Sequence, residues 1–248
     1  MRIGVLGDIH GNLEALTAVV EHMGAHEEID HWVQVGDIVG YGADPGPCID
    51  IVRELGCVVS IGNHDAAVVG RLDPDYFNPY ARMAIDWTRD QLGETHRTYL
   101  ANLPLLCEHH EYTVVHGSLH MPDQFGYVIS TVEAADSIQH QKTRIAFVGH
   151  SHVPAAYMQR DGSRLEDLEF IFGPEIHGDI RDYVRVLVNV GSVGQPRDED
   201  PRAAYCVYDT STLQLKIARV AYDIESAQTK IRQAGLPSVL ADRLALGV

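Results

Sequence analysis

Five short segments of the chain combine histidine, aspartate or asparagine with glycine, and each follows a run of apolar residues. They are Asp8-Ile9-His10, Gly36-Asp37, Gly62-Asn63-His64-Asp65, His116-Gly117 and Gly149-His150-Ser151-His152. In Asp-x-His and His-x-His the two side chains lie on the same side of an extended backbone, because side-chain direction repeats every second residue. Neighbouring glycines allow the backbone to turn sharply and to approach an ion or a phosphate closely.

Each segment has a simpler explanation when it is taken alone. Asp-x-His is commonly a surface pair, Gly-Asp is commonly a turn at a strand end, and Gly-His-Ser-His can be a polar loop. That explanation becomes weak for all five segments together, because each of them lies directly behind a predicted strand. Strand ends that lead into loops at one edge of a sheet are where α/β proteins place their sites. The set therefore favours one site built from carboxylates, an amide and imidazoles.

The elements that must position these segments alternate between strands and helices in the first part of the chain. The pattern predicts a strand at about 2–7, a helix from Asn12, a strand near 32–35, a helix near 46–55 and a strand at 57–61. In the first helix Leu13, Leu16, Val19 and Val20 fall on one face. This β-α-β-α-β order indicates parallel pairing in a sheet that helices cover.

The rest of the chain is predicted to be helical first and strand-rich afterwards. Residues 64–103 have a helical pattern and predict a small cap-like segment beside the site. Strands are predicted at 114–115, 145–148, 155–158, 184–190, 204–208 and 213–220, with a crossover helix near 131–140 and helices again over 224–248. We therefore expect one α/β domain over residues 1–248, with two sheets packed together and helices outside.

The composition restricts the classes of partner. The formal net charge is −16, and 14 histidines accompany only 19 lysines and arginines. Such a surface repels nucleic acid and anionic membranes, so we expect neither stable nucleic-acid binding nor membrane association. No apolar run approaches the roughly 18 residues of a membrane span. The four cysteines are scattered, which favours reduced thiols in a cytoplasmic protein.

The order Asp-x-His, Gly-Asp, Gly-Asn-His-Asp, His and Gly-His-x-His resembles that of the calcineurin-like metallophosphoesterases. The run from Gly36 to Pro45, the run from Asn189 to Arg197 and the Gly-Leu-Pro near the C-terminus are similar to a bacterial branch of predicted phosphodiesterases and diadenosine-tetraphosphatase relatives. The resemblance covers the whole chain. It implies a four-layer αββα sandwich of two mixed β-sheets flanked by helices.

The resemblance also implies a site with two divalent metal ions. It assigns Asp8, His10 and His152 to the first ion, Asn63, His116 and His150 to the second, and Asp37 to both. It makes His64 the group that protonates or stabilises the leaving oxygen, and Asp65 is expected to hydrogen-bond the other ring nitrogen of His64. The mixed ligand set is compatible with Mn, Fe, Co, Ni and Zn, of which Mn is the first expectation.

The implied activity is hydrolysis of a phosphate ester by a hydroxide that the two ions share. Small phosphodiesters or nucleotides are the expected substrates, because Ile61 and Asp65 stand where protein phosphatases carry an arginine and a glutamate. Alternatives are a dinucleoside-polyphosphate hydrolase, a phosphomonoesterase or protein phosphatase, and a non-catalytic scaffold on the same fold. A homo-oligomer is compatible with the sequence. The roles of Arg82, Arg89, His120 and Arg197 stay open at this stage.

Overall fold

Twelve β-strands and eight α-helices make up the protein in a computed structural model that describes residues 1–248. The strands are β1 (Arg2–Leu6), β2 (His31–Gln34), β3 (Val58–Val59), β4 (Leu106–Glu108), β5 (Tyr112–Val115), β6 (Ile145–Val148), β7 (Ala155–Arg160), β8 (Glu169–Phe172), β9 (Ile176–Asp179), β10 (Tyr183–Asn189), β11 (Ala203–Asp209) and β12 (Gln214–Val220). The helices are α1 (Leu13–His26), α2 (Pro45–Glu54), α3 (Asn63–Val68), α4 (Pro79–Gln91), α5 (Glu94–Ala101), α6 (Thr131–Ile138), α7 (Ile224–Gln233) and α8 (Ser238–Asp242).

The strands form two six-stranded sheets, in the orders β3-β2-β1-β11-β12-β9 and β4-β5-β6-β10-β7-β8. In the first sheet β1, β2 and β3 pair in parallel, and β11 joins β1 antiparallel. In the second sheet β5, β6 and β10 are parallel, whereas β7 runs antiparallel to β10. The predicted α/β fold with two mixed sheets flanked by helices is confirmed.

A layer of apolar side chains fills the space between the two sheets. In β6, Ile145 and Phe147 belong to this layer together with Ile3 of the first sheet, whereas Ala146 and Val148 belong to a cluster on the outer face. The division follows from the alternation of side chains along a strand. These strands are apolar on both faces because both faces are covered.

Helices cover the outer face of each sheet. The α1 helix begins where the Asn12 side chain accepts a hydrogen bond from the backbone N–H of Ala15 at 3.1 Å. The α6 helix begins in the same way, with the Ser130 hydroxyl accepting from the N–H of Glu133 at 3.4 Å. The apolar faces of α1 and α6 pack on the first and the second sheet respectively. The result is the expected order helix, sheet, sheet, helix.

The structure differs from the sequence-based prediction in several elements. The helical stretch over 64–103 is divided into α3, α4 and α5. Pro74 begins a separate turn, Pro79 begins α4, and Gly93 precedes the start of α5. Strand β3 is only two residues long, and β4, β8 and β9 were not predicted. All four residues of β8 are exposed, so no alternation marks the strand in the sequence.

The C-terminal region agrees with the prediction. Helices α7 and α8 are separated at Gly235, which adopts a φ of 74°.

The four cysteines are free thiols. None of the helices combines the length and the apolarity that a membrane crossing needs.

Candidate metal centre

Seven polar side chains meet where strands of both sheets end. Asp8 and His10 follow β1, Asp37 follows β2, Asn63 begins α3 behind β3, His116 follows β5, and His150 and His152 follow β6. The two carboxylates and four imidazoles among them are at most 7% exposed. The first sheet thus supplies four of these side chains and the second sheet supplies three.

One half of the cluster contains the three side chains assigned to the first ion. The Nε2 atoms of His10 and His152 are 3.1 Å apart. The Nε2 atom of His152 lies 3.3 Å from Oδ1 of Asp8. Lone pairs of neutral imidazoles and carboxylates this close together can bind a single ion.

The other half contains the side chains assigned to the second ion. The Nε2 atom of His116 lies 3.0 Å from Oδ1 of Asn63 and 3.1 Å from Nδ1 of His150. Oδ2 of Asp37 lies 3.3 Å from Nε2 of His116 and 3.6 Å from Nε2 of His10. One oxygen of Asp37 therefore lies between the two halves, as a bridging ligand requires.

Backbone carbonyls orient three of the imidazoles. Nδ1 of His10 lies 3.1 Å from the carbonyl oxygen of Val39, and Nδ1 of His116 lies 2.9 Å from that of Val35. Nδ1 of His152 lies 2.6 Å from the carbonyl oxygen of Gln195. Because a carbonyl only accepts, each Nδ1 carries a proton and each Nε2 faces the centre. Ring orientation thus fits metal binding, and the sequence pattern alone did not identify these carbonyl partners.

Four of the candidate ligands have a left-handed backbone. The φ angles are 50° at His10, 56° at Asp37, 67° at His150 and 62° at His152. Non-glycine residues rarely adopt this region, and the strain of each is of the order of 1–3 kcal/mol. Because the strained residues all lie in one cluster, we infer that the surrounding fold holds these side chains in place for a function.

Two glycines allow backbone to approach the carboxylates. A Cβ atom at Gly62 would lie 2.1 Å from Oδ1 of Asp37, and one at Gly149 would lie 2.4 Å from Oδ2 of Asp8. In the space that Gly62 leaves, the backbone N–H of His64 donates to Oδ1 of Asp37 at 2.8 Å. This bond leaves Oδ2 of Asp37 facing the imidazoles.

The electrostatics of the cluster favour cations. Burial lowers the pKa of His150 to about 3 and also lowers the pKa of His10 and of His152. Burial would raise the pKa of Asp37, but the attraction of His116 and other imidazoles holds it well below its ordinary value. Burial would lower the pKa of His116, but the attraction of Asp37 raises it to about 9. Ionised carboxylates surrounded by mostly neutral imidazoles are the donors that divalent metals take.

His64 lies beside the cluster without belonging to either half. One of its ring nitrogens is within 4.8 Å of an oxygen of Asp37 and a nitrogen of His10. Its ring packs against Tyr41 and Phe77, with centroid distances of 4.5 Å and 5.0 Å. Burial lowers the pKa of His64 to about 4.

The expected hydrogen bond between Asp65 and His64 is absent, so that prediction was wrong. Nδ1 of His64 is buried without a hydrogen-bond partner. The Asp65 carboxylate instead accepts from three backbone N–H groups, those of Asp37 at 2.8 Å, Val39 at 3.1 Å and Gly62 at 3.1 Å. Burial raises the pKa of Asp65 to about 7, and the backbone N–H groups act against this rise. Asp65 thus holds the loop with Asp37 against the start of α3, which carries His64.

A sequence model of the calcineurin-like phosphoesterase superfamily domain matches residues 1–213. The chain belongs to this superfamily. The uncharacterized protein MJ0912 of Methanocaldococcus jannaschii is 36% identical, with 99% of this chain and 98% of that protein aligned. A metallophosphoesterase from Sphaerobacter thermophilus has a similar structure, with a TM-score of 0.87 and 40% identity over 100% of this chain and 99% of the other.

A more distant structural match is described as a candidate diadenosine tetraphosphatase, with a TM-score of 0.52, 17% identity and coverage of 87% of this chain and 92% of that chain. At that identity the match supports the fold alone. Members of the calcineurin-like family are metal-dependent, and the family together with the geometry of the cluster makes this chain a phosphoric ester hydrolase.

In this phosphoesterase the metal centre opens into a cleft of about 580 Å³. Aromatic side chains form much of its wall, among them Phe77 before α4, and Phe125 and Tyr127 behind β5. The Tyr127 ring is half exposed and stacks on the His150 ring, with centroids 3.9 Å apart and planes 21° apart. The sequence offered no signal for these residues, because isolated aromatic residues in loops are common.

Of the side chains left open by the sequence, Arg197 alone lines the cleft. Its Nη2 donates to Oε1 of Gln195 at 2.9 Å, and its Nε is buried without a partner. Arg82 pairs with Asp75, and Arg89 donates to backbone carbonyls of α3, among them that of Val68 at 3.2 Å. Neither of these two arginines contributes to the wall of the cleft.

Proposed function

We propose that this phosphoesterase hydrolyses small phosphodiesters, nucleotides included, at a centre of two divalent metal ions. The observation that carries the proposal is the position of Asp37, whose Oδ2 lies 3.6 Å from His10 and 3.3 Å from His116. An oxygen between two sets of nitrogen and oxygen donors supports the sharing of one carboxylate by two ions. Two-metal sites of this kind act on phosphate esters.

The ligands for each ion would be those assigned from the sequence. Asp8, His10 and His152 would hold one ion, Asn63, His116 and His150 the other, and Asp37 both. When bound, such ions lower the pKa of coordinated water and neutralise charge on phosphoryl oxygens. Mn²⁺ is our first choice for the metal, because the donors include carboxylate and amide oxygens as well as imidazole nitrogens.

The chain itself supplies two further groups in the cleft. His64 would donate a proton or a hydrogen bond to the leaving oxygen, since it lies next to the centre and is not needed as a ligand. Arg197 would neutralise and orient the substrate phosphate, because its guanidinium lines the same cleft and its Nε lacks a partner. Asp65 would act as a positioning residue through the backbone of Asp37.

The aromatic lining and the charge of the cleft favour a phosphodiester in which one of the two organic groups is a nucleoside. Tyr127 presents a half-exposed ring that could stack on a nucleobase, which supports a nucleotide as the substrate. Arg197 is the one lysine or arginine that lines the cleft. A dinucleoside polyphosphate carries several negative charges, so a hydrolase of that class is the second candidate.

Metal dependence tests the proposal directly. Exhaustive chelation should abolish hydrolysis of a chromogenic phosphodiester, and added Mn²⁺ should restore it, because the ions supply the chemistry at this centre. A panel of phosphomonoesters, phosphodiesters and dinucleoside polyphosphates, assayed with Mn, Fe, Co, Ni and Zn, would then rank the substrates. Undiminished turnover by metal-free protein would refute the mechanism.

Asp37→Asn tests the bridging position. The substitution keeps the shape of the side chain but removes the charge near both halves, so we expect loss of metal and of nearly all turnover. Asp90→Asn is the matched control, because Asp90 is an exposed aspartate on α4. If metal analysis of Asp37→Asn still found two ions bound with wild-type affinity, the bridging role would be wrong.

A further inference from the structure

We propose that His120, Asp136 and His140 form a third metal-binding site, which selects zinc-like ions and shares no ligand with the metal centre. Nδ1 of His120 lies 3.0 Å from Nε2 of His140 and 3.7 Å from Oδ2 of Asp136. One donor atom from each of the three side chains lies within 4.8 Å of the other two. The group is half-buried at His120 and exposed at the other two residues.

The histidine pair at this surface has the same geometry as a ligand pair in the metal centre. The His120 and His140 rings have centroids 4.9 Å apart and planes 63° apart. The corresponding values for His116 and His150 are 4.8 Å and 60°. The facing nitrogens are 3.0 Å apart in the first pair and 3.1 Å apart in the second. A hydrogen bond between the two imidazoles would form without the Asp136 carboxylate, whereas a metal ion would use that carboxylate as its third ligand.

Two elements bring the three side chains together. Asp136 lies on α6, and His140 follows one turn later, where its backbone N–H bonds to the carbonyl of Ser137 at 3.0 Å. Residues four apart on a helical turn face the same side. The loop with His120 is fixed on α6, because the N–H of Leu119 donates to the Ser137 hydroxyl at 3.0 Å. The side chains are therefore placed before any ion arrives.

The donor set determines the class of ion. Two imidazoles and one carboxylate match zinc sites, in which three protein ligands leave a fourth position for water. Mg²⁺ and Ca²⁺ prefer sites made of oxygen donors alone. The negative net charge of the protein adds a general attraction for cations.

A zinc ion at this site would join α6 to the segment from His116 to Tyr127. That segment begins at a ligand of the metal centre and ends at the wall of the cleft. The ion would therefore restrict the motion of the cleft wall without touching the substrate.

The test is the number of zinc ions bound per chain, measured by equilibrium dialysis of the full-length protein over a range of free Zn²⁺. Zinc fills both the centre and the new site, so the wild type should bind three ions. His120→Gln and His140→Gln should each bind two. Asp136→Asn should lower the affinity for the third ion by more than the roughly 10–100-fold loss that follows removal of a group that only hydrogen-bonds a ligand.

His177→Gln is the matched control, because His177 is an exposed histidine on β9 whose loss should leave three ions. Saturation of the wild type at two ions would overturn the proposal. So would a third ion that persists in both histidine variants, since it would bind elsewhere. A drop below two ions in both variants would also overturn it, by showing that these residues support the centre instead.

Discussion

His64 has a ring nitrogen next to the metal centre but no carboxylate behind it. This arrangement separates binding from chemistry at a single residue. We expect His64→Ala to keep its metal content while turnover of an alkyl or nucleoside diester falls by roughly 10²–10⁴-fold, the usual contribution of positioned proton transfer. A nitrophenyl ester should lose less, because nitrophenolate leaves without protonation. Steady-state kinetics on both esters, with metal analysis, would measure this difference.

The control for His64→Ala is His177→Ala, which removes an exposed imidazole far along the chain on β9. Loss of metal from His64→Ala would make His64 a ligand. Equal losses on the two esters would remove its role towards the leaving oxygen.

Asp65 is expected to act through the backbone instead of through His64. Its carboxylate accepts from the N–H groups of Asp37, Val39 and Gly62. Asp65→Asn should therefore lower the free energy of unfolding by about 1–3 kcal/mol and weaken metal binding, because buried N–H groups lose an acceptor. Losses of turnover should be equal on alkyl and nitrophenyl esters. If Asp65→Asn instead kept its full metal content and lost turnover only on the alkyl ester, Asp65 would orient His64 as the sequence suggested.

The sequence predicted which residues meet at the centre, but not all of their contacts. The five motifs could be assigned to one site because each follows a strand of a recognisable pattern, whereas the set of Asp8, His10 and His152 came from the resemblance to the family. The hydrogen bonds of Asp65 could not be predicted, since they depend on the shapes of the turns at Asp37 and Gly62. The same applies to the carbonyl partners of the imidazoles, because a backbone atom leaves no signal in residue type.

At the scale of elements, buried strands were predictable and exposed ones were not. Strand β6 coincides with its predicted range because it is apolar on both faces. Strands β4 and β8 lie at the two edges of the second sheet, and β8 has no buried residue. An edge strand without a buried face shows no alternation, so its sequence resembles that of a loop.

Glu27 joins the end of α1 to three strands of the first sheet. Its carboxylate accepts hydrogen bonds from Arg2 of β1 at 2.6 Å, Lys216 of β12 at 2.5 Å and Tyr205 of β11 at 3.2 Å. The side chain is buried, so Glu27→Gln should lower the free energy of unfolding at neutral pH by about 1.5–3 kcal/mol, the usual value for hydrogen bonds to a charged group. Denaturant unfolding would measure the loss.

The effect of Glu27→Gln should depend on pH. Burial would raise the pKa of Glu27, but its bond with Lys216 and the other contacts lower it below the ordinary value of 4.5. A lowered pKa stabilises the folded state above pH 4.5, and the gain disappears as the pH falls through the folded-state value. The two proteins should thus converge in acid. Glu21→Gln, an exposed change on the same helix, should show no difference at any pH.

At the scale of the whole molecule, the metal centre connects the two sheets. His10 and Asp37 come from the first sheet, and His116, His150 and His152 from the second. Ions that bind only the folded chain stabilise it by about 2.7 kcal/mol at a hundred times the dissociation constant, which raises Tm by roughly 5–10 °C for a protein of this size. Calorimetry with Mn²⁺ and with chelator would measure the shift.

Asp37→Asn should remove most of the metal-induced shift in Tm, whereas Asp90→Asn should keep all of it. An equal rise in Tm for both variants would place the stabilising ions outside the centre. The interior of the sheets was predictable as a whole, because runs of apolar residues define its strands. The connection of the two sheets through metal ions was predictable only from the order of the motifs along the chain.

The left-handed backbone at His10, Asp37, His150 and His152 has a consequence for the evolution of the protein. Glycine relieves strain at such angles, so a screen for thermal stability of the metal-free protein should enrich glycine at these positions. Every such variant would lose a metal ligand. In the metal-free protein, stability and activity therefore compete at the same four residues, and selection for metal binding or turnover retains the histidines and the aspartate there.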